Sequence, residues 1–186
     1  MKGMHLVTGG SRSGKSNYAQ MLVEALPGPR AYLATCPIID AEMAERVRRH
    51  REARGAAAWE TIEEPVDLAG AINRAVAYRV LLVDCLTVWV NNLIYDAERR
   101  GKIFTEDATA LRCHDLIAAC GAFPGTVFFV TNEVGMGIVP ENEVARRFRD
   151  CAGRCNQLIA AAATEVTLVV SGIPLRLKGK DKKTRS

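Results

Sequence analysis

The stretch Gly9-Gly10-Ser11-Arg12-Ser13-Gly14-Lys15-Ser16 constrains this chain more than any other, because it fits the phosphate-binding pattern G-x-x-x-x-G-K-[ST]. Glycines let the backbone wrap closely round a phosphate, so that successive amide N–H groups point at it. Lys15 adds a point charge at the β- and γ-phosphates, and the Ser16 hydroxyl suits Mg²⁺. The surroundings agree. His5-Leu6-Val7-Thr8 is an apolar run that predicts a strand before the loop. Ala19, Leu22, Val23 and Leu26 recur at i, i+3, i+4 and i+7, which predicts a helix with one buried face after it. The N-terminus of that helix adds partial positive charge at the phosphate. The bland alternative is a Gly/Ser turn joining a strand to a helix.

Further apolar, β-branched runs follow. Strands are predicted at Met4–Thr8, Ala31–Thr35, Val80–Asp84, Thr126–Thr131 and Val166–Ser171. Helical patterns lie between them, near Lys15–Leu26, Ala41–Ala53, Leu68–Ala77, Leu86–Ala97, Glu106–Cys120 and Asn142–Ala163. Asp67 and Thr105 stand where helix caps belong. Near-continuous apolar strands alternating with helices indicate an α/β fold, a mostly parallel sheet with helices on both faces. Ligands of such sheets bind beyond the carboxyl ends of the strands. That edge is expected to carry Gly9–Ser16, Thr35-Cys36, Asp84-Cys85 and Thr131-Asn132-Glu133.

At 186 residues the chain suits one domain, expected over 1–178, with a basic disordered tail at 179–186. The net charge of +4 is modest, and much of it sits in that tail. No helix-turn-helix or RNA-binding signature accompanies it, so no nucleic-acid partner is expected. No apolar run approaches membrane-spanning length. Met1-Lys2-Gly3-Met4-His5 has neither an h-region nor a cleavage site, so a cytoplasmic protein is expected. The six cysteines form no C-x-x-C pair. Cys151 and Cys155 stand i, i+4 on a predicted helix, and packed, reduced thiols are expected there in preference to a metal site.

Three constellations carry chemistry. Asp84 ends the run Val80-Leu81-Leu82-Val83, four apolar residues and then an acid, as in strands that hold Mg²⁺ beside a phosphate loop. In the helix predicted from Ala41, Met43, Val47, His50 and Arg54 share one face, and arginines at 46, 48, 49, 51 and 54 surround His50. Cationic neighbours disfavour the imidazolium, which keeps the ring neutral and nucleophilic. They also attract polyphosphate. A solvated basic helix with an incidental histidine is the alternative. His5 and His114 read as structural. Thr131–Asn142 follows a strand with polar residues and two glycines, Gly135 and Gly137, which suggests a functional loop at the ligand edge. The base for a substrate hydroxyl stays open among Glu133, Asp40 and Asp84.

Taken together, these stretches resemble the bifunctional adenosylcobinamide kinase/adenosylcobinamide-phosphate guanylyltransferase family of cobalamin biosynthesis. The resemblance rests on Thr8–Ser16, His50-Arg51, Asp84-Cys85-Leu86-Thr87-Val88-Trp89 and Leu168–Ile173. Its most specific part is Thr131–Asn142 with Val144–Asp150. It implies a RecA-like P-loop fold and a homo-oligomer, a trimer. It implies that adenosylcobinamide is phosphorylated with ATP or GTP. A histidine, His50 by position, then takes GMP from GTP and passes it to adenosylcobinamide phosphate. The residues carried over for nucleotide binding are Gly9, Gly10, Ser11, Arg12, Ser13, Gly14, Lys15, Ser16, Ala34, Thr35, Cys36, Arg51, Glu52, Ala53, Arg54, Glu63 and Asp84. The resemblance implies that Lys15 is catalytic with His50, that Ser16 and Asp84 hold Mg²⁺, and that Glu63 reads the guanine base, whose N1 and N2 donors suit a carboxylate. Ser11 stands where relatives often have Ala, Gly55 where they often have Pro, and Arg49 where some have a second histidine. Two other readings stand beside this one: a kinase of a different small alcohol, and a nucleotide-dependent binding module.

Overall fold

The computed structural model describes residues 3–36 and 59–179. Seven strands form one sheet: β1 (Gly3–Gly9), β2 (Arg30–Ala34), β3 (Trp59–Glu63), β4 (Val80–Asp84), β5 (Thr126–Asn132), β6 (Glu165–Val170) and β7 (Ile173–Lys178). Their order across the sheet is β3-β2-β4-β5-β1-β6-β7. Every neighbouring pair is parallel except β6–β7. The helices are α1 (Lys15–Glu24), α2 (Leu68–Arg74), α3 (Leu86–Arg99), α4 (Glu106–Ala122) and α5 (Glu143–Ala162), with a 3₁₀ turn at Val134–Met136.

Alternation along the strands divides the core in two. Leu81, Val83, Val127, Phe129, Leu6, Ala31 and Leu33 meet α2 to α5 on one face, where Ile72, Trp89, Leu116 and Ile159 are buried. Val80, Leu82, Phe128, Val130, Val7 and Val169 meet Ala19 and Val23 of α1 on the other. Strands buried on both sides explain the near-continuous apolar runs. Among the described residues no helix is long and apolar enough to cross a membrane.

The caps expected at Asp67 and Thr105 are formed: Asp67 Oδ1 accepts from Gly70 N at 3.0 Å, and Thr105 Oγ1 accepts from Ala108 N at 3.3 Å. The cap of α5 is Asn142, whose Oδ1 accepts from Ala145 N at 3.0 Å. Pro140 and Glu141 lie outside that helix, and their carbonyls accept from the Arg146 guanidinium.

Two strands escape the sequence patterns. β3 is an edge strand without a buried residue, so its sequence WETIE never becomes an apolar run. All six residues of β7 are exposed. It turns back from β6 through Ser171 and Gly172, at φ 52° and 81°, a two-residue turn of the kind that matches strand twist. Pro174 is tolerated because β7 lies at the sheet edge. The helix predicted from Ala41 lies outside the described residues.

Candidate nucleotide-binding site

The register brings the strand ends to one side of the sheet, with β5 and β1 running two residues past Asp84, which pairs with Val130. Gly9 pairs with Asn132, Ala34 with Asp84, and Ala34 with Glu63. The carboxyl ends of β3, β2, β4, β5 and β1 therefore make one edge. It carries the phosphate loop, Thr35-Cys36, Asp84, Glu63 and Glu133.

The loop runs from the end of β1 into α1. Gly9 has no room for a side chain, since a Cβ there would lie 2.4 Å from Val169 O. Arg12 and Gly14 adopt left-handed φ, 56° and 91°. Gly14 is the residue before α1, and no side chain caps that helix. Helix geometry leaves the N–H groups of Lys15, Ser16 and Asn17 without an intrahelical acceptor, and the first turn has no acid to satisfy them. The buried Ser13 hydroxyl also lacks a partner among the described residues. A set of unsatisfied donors round a helix N-terminus is what a phosphate completes. The loop is braced from behind, where Gly172 N donates to Ser13 O at 2.8 Å.

Lys15 is buried and its Nζ donates to Gly10 O at 3.1 Å. Burial holds its ammonium below the ordinary lysine range, offset in part by the charges of Cys85 and Asp84. The Cys85 thiol is pushed up to about 11 by burial and by Asp84. It is therefore uncharged near neutrality, and Asp84 is the anion that matters to Lys15 there.

Asp84 ends β4 on the face of Val80 and Leu82, the α1 side, and its Oδ2 accepts from the Tyr32 hydroxyl at 3.2 Å. Beside it, the Asp84–Cys85 peptide is cis. The buried Thr35 hydroxyl donates to Cys85 O at 2.9 Å and accepts from Cys85 N at 2.8 Å. Asn92 of α3 holds Thr35 O at 2.7 Å. Among the described residues no three His, Cys, Asp or Glu side chains gather as a metal cage. A hydroxyl and one carboxylate beside a phosphate cradle are nevertheless the donor set Mg²⁺ uses, since it keeps waters and substrate phosphates as ligands. Ser16 and Asp84 fit that pattern.

The structure thus brings together Gly9, Gly10, Ser11, Arg12, Ser13, Gly14, Lys15, Ser16, Ala34, Thr35, Cys36 and Asp84, with Glu63 farther along the edge on the outer strand. His50, Arg51, Glu52, Ala53 and Arg54 lie outside the described residues, as does Asp40. Sequence patterns alone assign no role to Tyr32, Thr87, Asn92 or Asn156. The signal for Asn156 is a polar residue in the buried stripe of Ala152, Cys155 and Ile159 on α5.

Comparison with known proteins bears on what this edge does. A family described as "Cobinamide kinase / cobinamide phosphate guanyltransferase" matches residues 5–177. The chain is 46% identical over 185 residues to the bifunctional adenosylcobalamin biosynthesis protein CobU of Escherichia coli, covering 94% of this chain and 99% of that protein. It is 41% identical over 176 residues to the bifunctional adenosylcobalamin biosynthesis protein CobP of Pseudomonas aeruginosa, covering 94% and 97%. Among solved structures, the flagellar accessory protein FlaH of Methanocaldococcus jannaschii superposes with a TM-score of 0.54 at 11% identity, over 96% of this chain and 79% of that one. A KaiC-like protein of Pyrococcus horikoshii does so with 0.54 at 13%, over 97% and 80%. These distant likenesses carry the fold alone, which is RecA-like.

Proposed function

The chain belongs to the cobinamide kinase / cobinamide phosphate guanyltransferase family, with both of those enzymatic activities, and from that premise we propose that it works on adenosylcobinamide at the edge just described. In the first reaction a hydroxyl oxygen of adenosylcobinamide bonds to the γ-phosphorus of ATP or GTP, and the nucleoside diphosphate leaves. In the second, a ring nitrogen of His50 bonds to the α-phosphorus of GTP and pyrophosphate leaves. A phosphate oxygen of adenosylcobinamide phosphate then displaces the histidine and takes the GMP. A covalent step divides one difficult transfer into two easier ones.

The observation that carries the reading is the uncapped N-terminus of α1, whose first residue, Lys15, lies close enough to Asp84 to feel its charge. Gly9 to Ser16 offer the phosphate cradle, with Lys15 at the γ-phosphate. Ser16 and Asp84 would hold Mg²⁺, which when bound neutralises charge on the phosphates. Ala34, Thr35 and Cys36 flank the nucleotide, Glu63 reads guanine, and Arg51, Glu52, Ala53 and Arg54 continue the contact beyond His50. Cytoplasmic action on a soluble substrate is part of the same reading. A homo-oligomer, a trimer by resemblance, gains support from β7, where Ile173, Leu175 and Leu177 expose one apolar face of an edge strand.

The test has two arms. Purified protein with ATP, Mg²⁺ and adenosylcobinamide is expected to give the phosphorylated corrinoid, followed by chromatography. With GTP and Mg²⁺ alone, the intact protein is expected to gain the mass of GMP. Failure of both arms in folded protein would sink the proposal.

A further inference from the structure

The end of β5 holds a carboxylate to which the nucleotide site gives no role. Glu133 follows Asn132 directly, and its N–H donates to Gly9 O at 3.2 Å, where β1 enters the phosphate loop. Its Oε1 accepts from the Thr8 hydroxyl at 2.5 Å and from Asn156 Nδ2 at 3.3 Å. Both donors therefore serve one oxygen. Among the described residues no hydrogen bond or ion pair engages Oε2, and the side chain is half-buried.

What anchors Glu133 is a chain of groups whose direction is set. Asn156 is buried on α5. Its Nδ2 also donates to Asn132 O at 3.1 Å, and its Oδ1 accepts from the Thr131 hydroxyl at 2.7 Å. Turning the amide over would face its oxygen against a carbonyl and a carboxylate, both acceptors, so this orientation is required. Thr131 gives its only proton to Asn156, and so it accepts from the Thr87 hydroxyl at 3.1 Å. Thr87 in turn accepts from Asn132 N at 2.8 Å. Buried polar networks of this kind are costly unless fully satisfied. Here the network ends on one oxygen of a carboxylate and leaves the other unengaged.

The location matters as much as the geometry. β5 lies between β4, which ends at Asp84, and β1, which ends in the phosphate loop. Glu133 thus stands between Asp84 and the phosphate loop, on the edge to which an attacking alcohol must come and lose a proton. We infer that Glu133 accepts the proton of the substrate hydroxyl in the kinase reaction, and that Asn156 is the positioning residue that holds it for the task; this rests on the kinase reading above. The hydroxyl proton passes to Oε2 as the oxygen bonds to the γ-phosphorus. The bond from the γ-phosphorus to the bridging oxygen breaks, and the nucleoside diphosphate leaves with that electron pair.

The experiment is steady-state kinase kinetics with adenosylcobinamide and Mg·ATP on wild type, Glu133→Gln, Glu133→Ala and Asn156→Ala, with ATP affinity and thermal midpoint measured on each as controls for folding. Glu133→Gln and Glu133→Ala are expected to lower kcat about 10²–10⁴-fold, the usual worth of a positioned base. Formate, a small carboxylate, is expected to restore part of the Glu133→Ala rate, which a merely structural glutamate would not show. Asn156→Ala is expected to lower kcat about tenfold with the KM for ATP held. A Glu133→Gln enzyme within about threefold of wild-type kcat would overturn the inference, as would a Glu133→Ala enzyme that binds ATP, turns over slowly and ignores formate. A wild type that binds ATP yet leaves adenosylcobinamide untouched would instead bring down the kinase reading and this inference with it.

Discussion

The Tyr32 hydroxyl donates to Asp84 Oδ2 across neighbouring parallel strands, at 3.2 Å. The contact fixes the carboxylate proposed to hold the metal, so Tyr32→Phe is expected to act on metal-dependent binding. Water substitutes in part at a half-buried acid, which limits the loss to about 0.5–1.5 kcal/mol, or about two- to tenfold in affinity. Isothermal titration should show the loss with Mg·ATP and not with ATP in the presence of a chelator. Equal losses under both conditions would mean that Tyr32 acts on the nucleotide and not through the metal.

Lys15 should cost the nucleotide-free protein stability. Burial lowers its folded-state pKa below the ordinary 10.5. The charged lysine therefore favours the unfolded chain at neutral pH. That penalty fades as pH rises through the folded-state value and is gone above the unfolded one. Lys15→Met is thus expected to raise the urea midpoint at pH 7, with the gain shrinking as pH rises toward 10.5. The same substitution should abolish the rise in thermal midpoint that ATP gives. A lower midpoint at pH 7 would mean that the Lys15–Gly10 hydrogen bond outweighs the desolvation.

These two residues also show what a sequence can and cannot disclose. Lys15 is legible because a phosphate loop is a backbone shape, and the shape demands its glycines at set spacings. Asp84 is legible because β4 is buried on both faces until its last residue. Tyr32 is not, since its value comes from a neighbouring strand whose register only the fold sets. Asn156 is hidden for a related reason. Helical periodicity says that position 156 is buried, but not that three polar groups converge on its side chain. β3 and β7 fail to announce themselves because exposed edge strands lack the apolar run that marks a central one.

His50 is the residue proposed to carry the second reaction. Wild type incubated with GTP and Mg²⁺ is expected to carry an acid-labile GMP adduct, read as intact mass. His50→Ala should carry none while retaining measurable phosphoryl transfer to adenosylcobinamide. A phosphoramidate bond to imidazole accounts for the acid lability. An adduct of the same mass on the variant would move the nucleophile to another residue.

Gly9 and Gly10 are adjacent, yet they should respond differently to the same methyl group. A Cβ on Gly9 would lie 2.4 Å from Val169 O and 2.6 Å from Ser13 Oγ, and the first of these is backbone of the paired strand β6. Relief requires β1 and β6 to part or the phosphate loop to move, and both are held by ladder and loop hydrogen bonds. Gly9→Ala is therefore expected to cost about 1–3 kcal/mol, the range for forced overpacking, and to lower ATP affinity as the cradle shifts. A Cβ on Gly10 would meet nothing within 4 Å, and its φ is not in the left-handed region. Gly10→Ala should stay within about 0.5 kcal/mol of wild type, as open surface sites do. Urea unfolding of the two variants side by side checks the contrast. If Gly10→Ala were the more damaging to stability, backbone freedom and not the close approach of β6 would be what the loop requires of its first glycines.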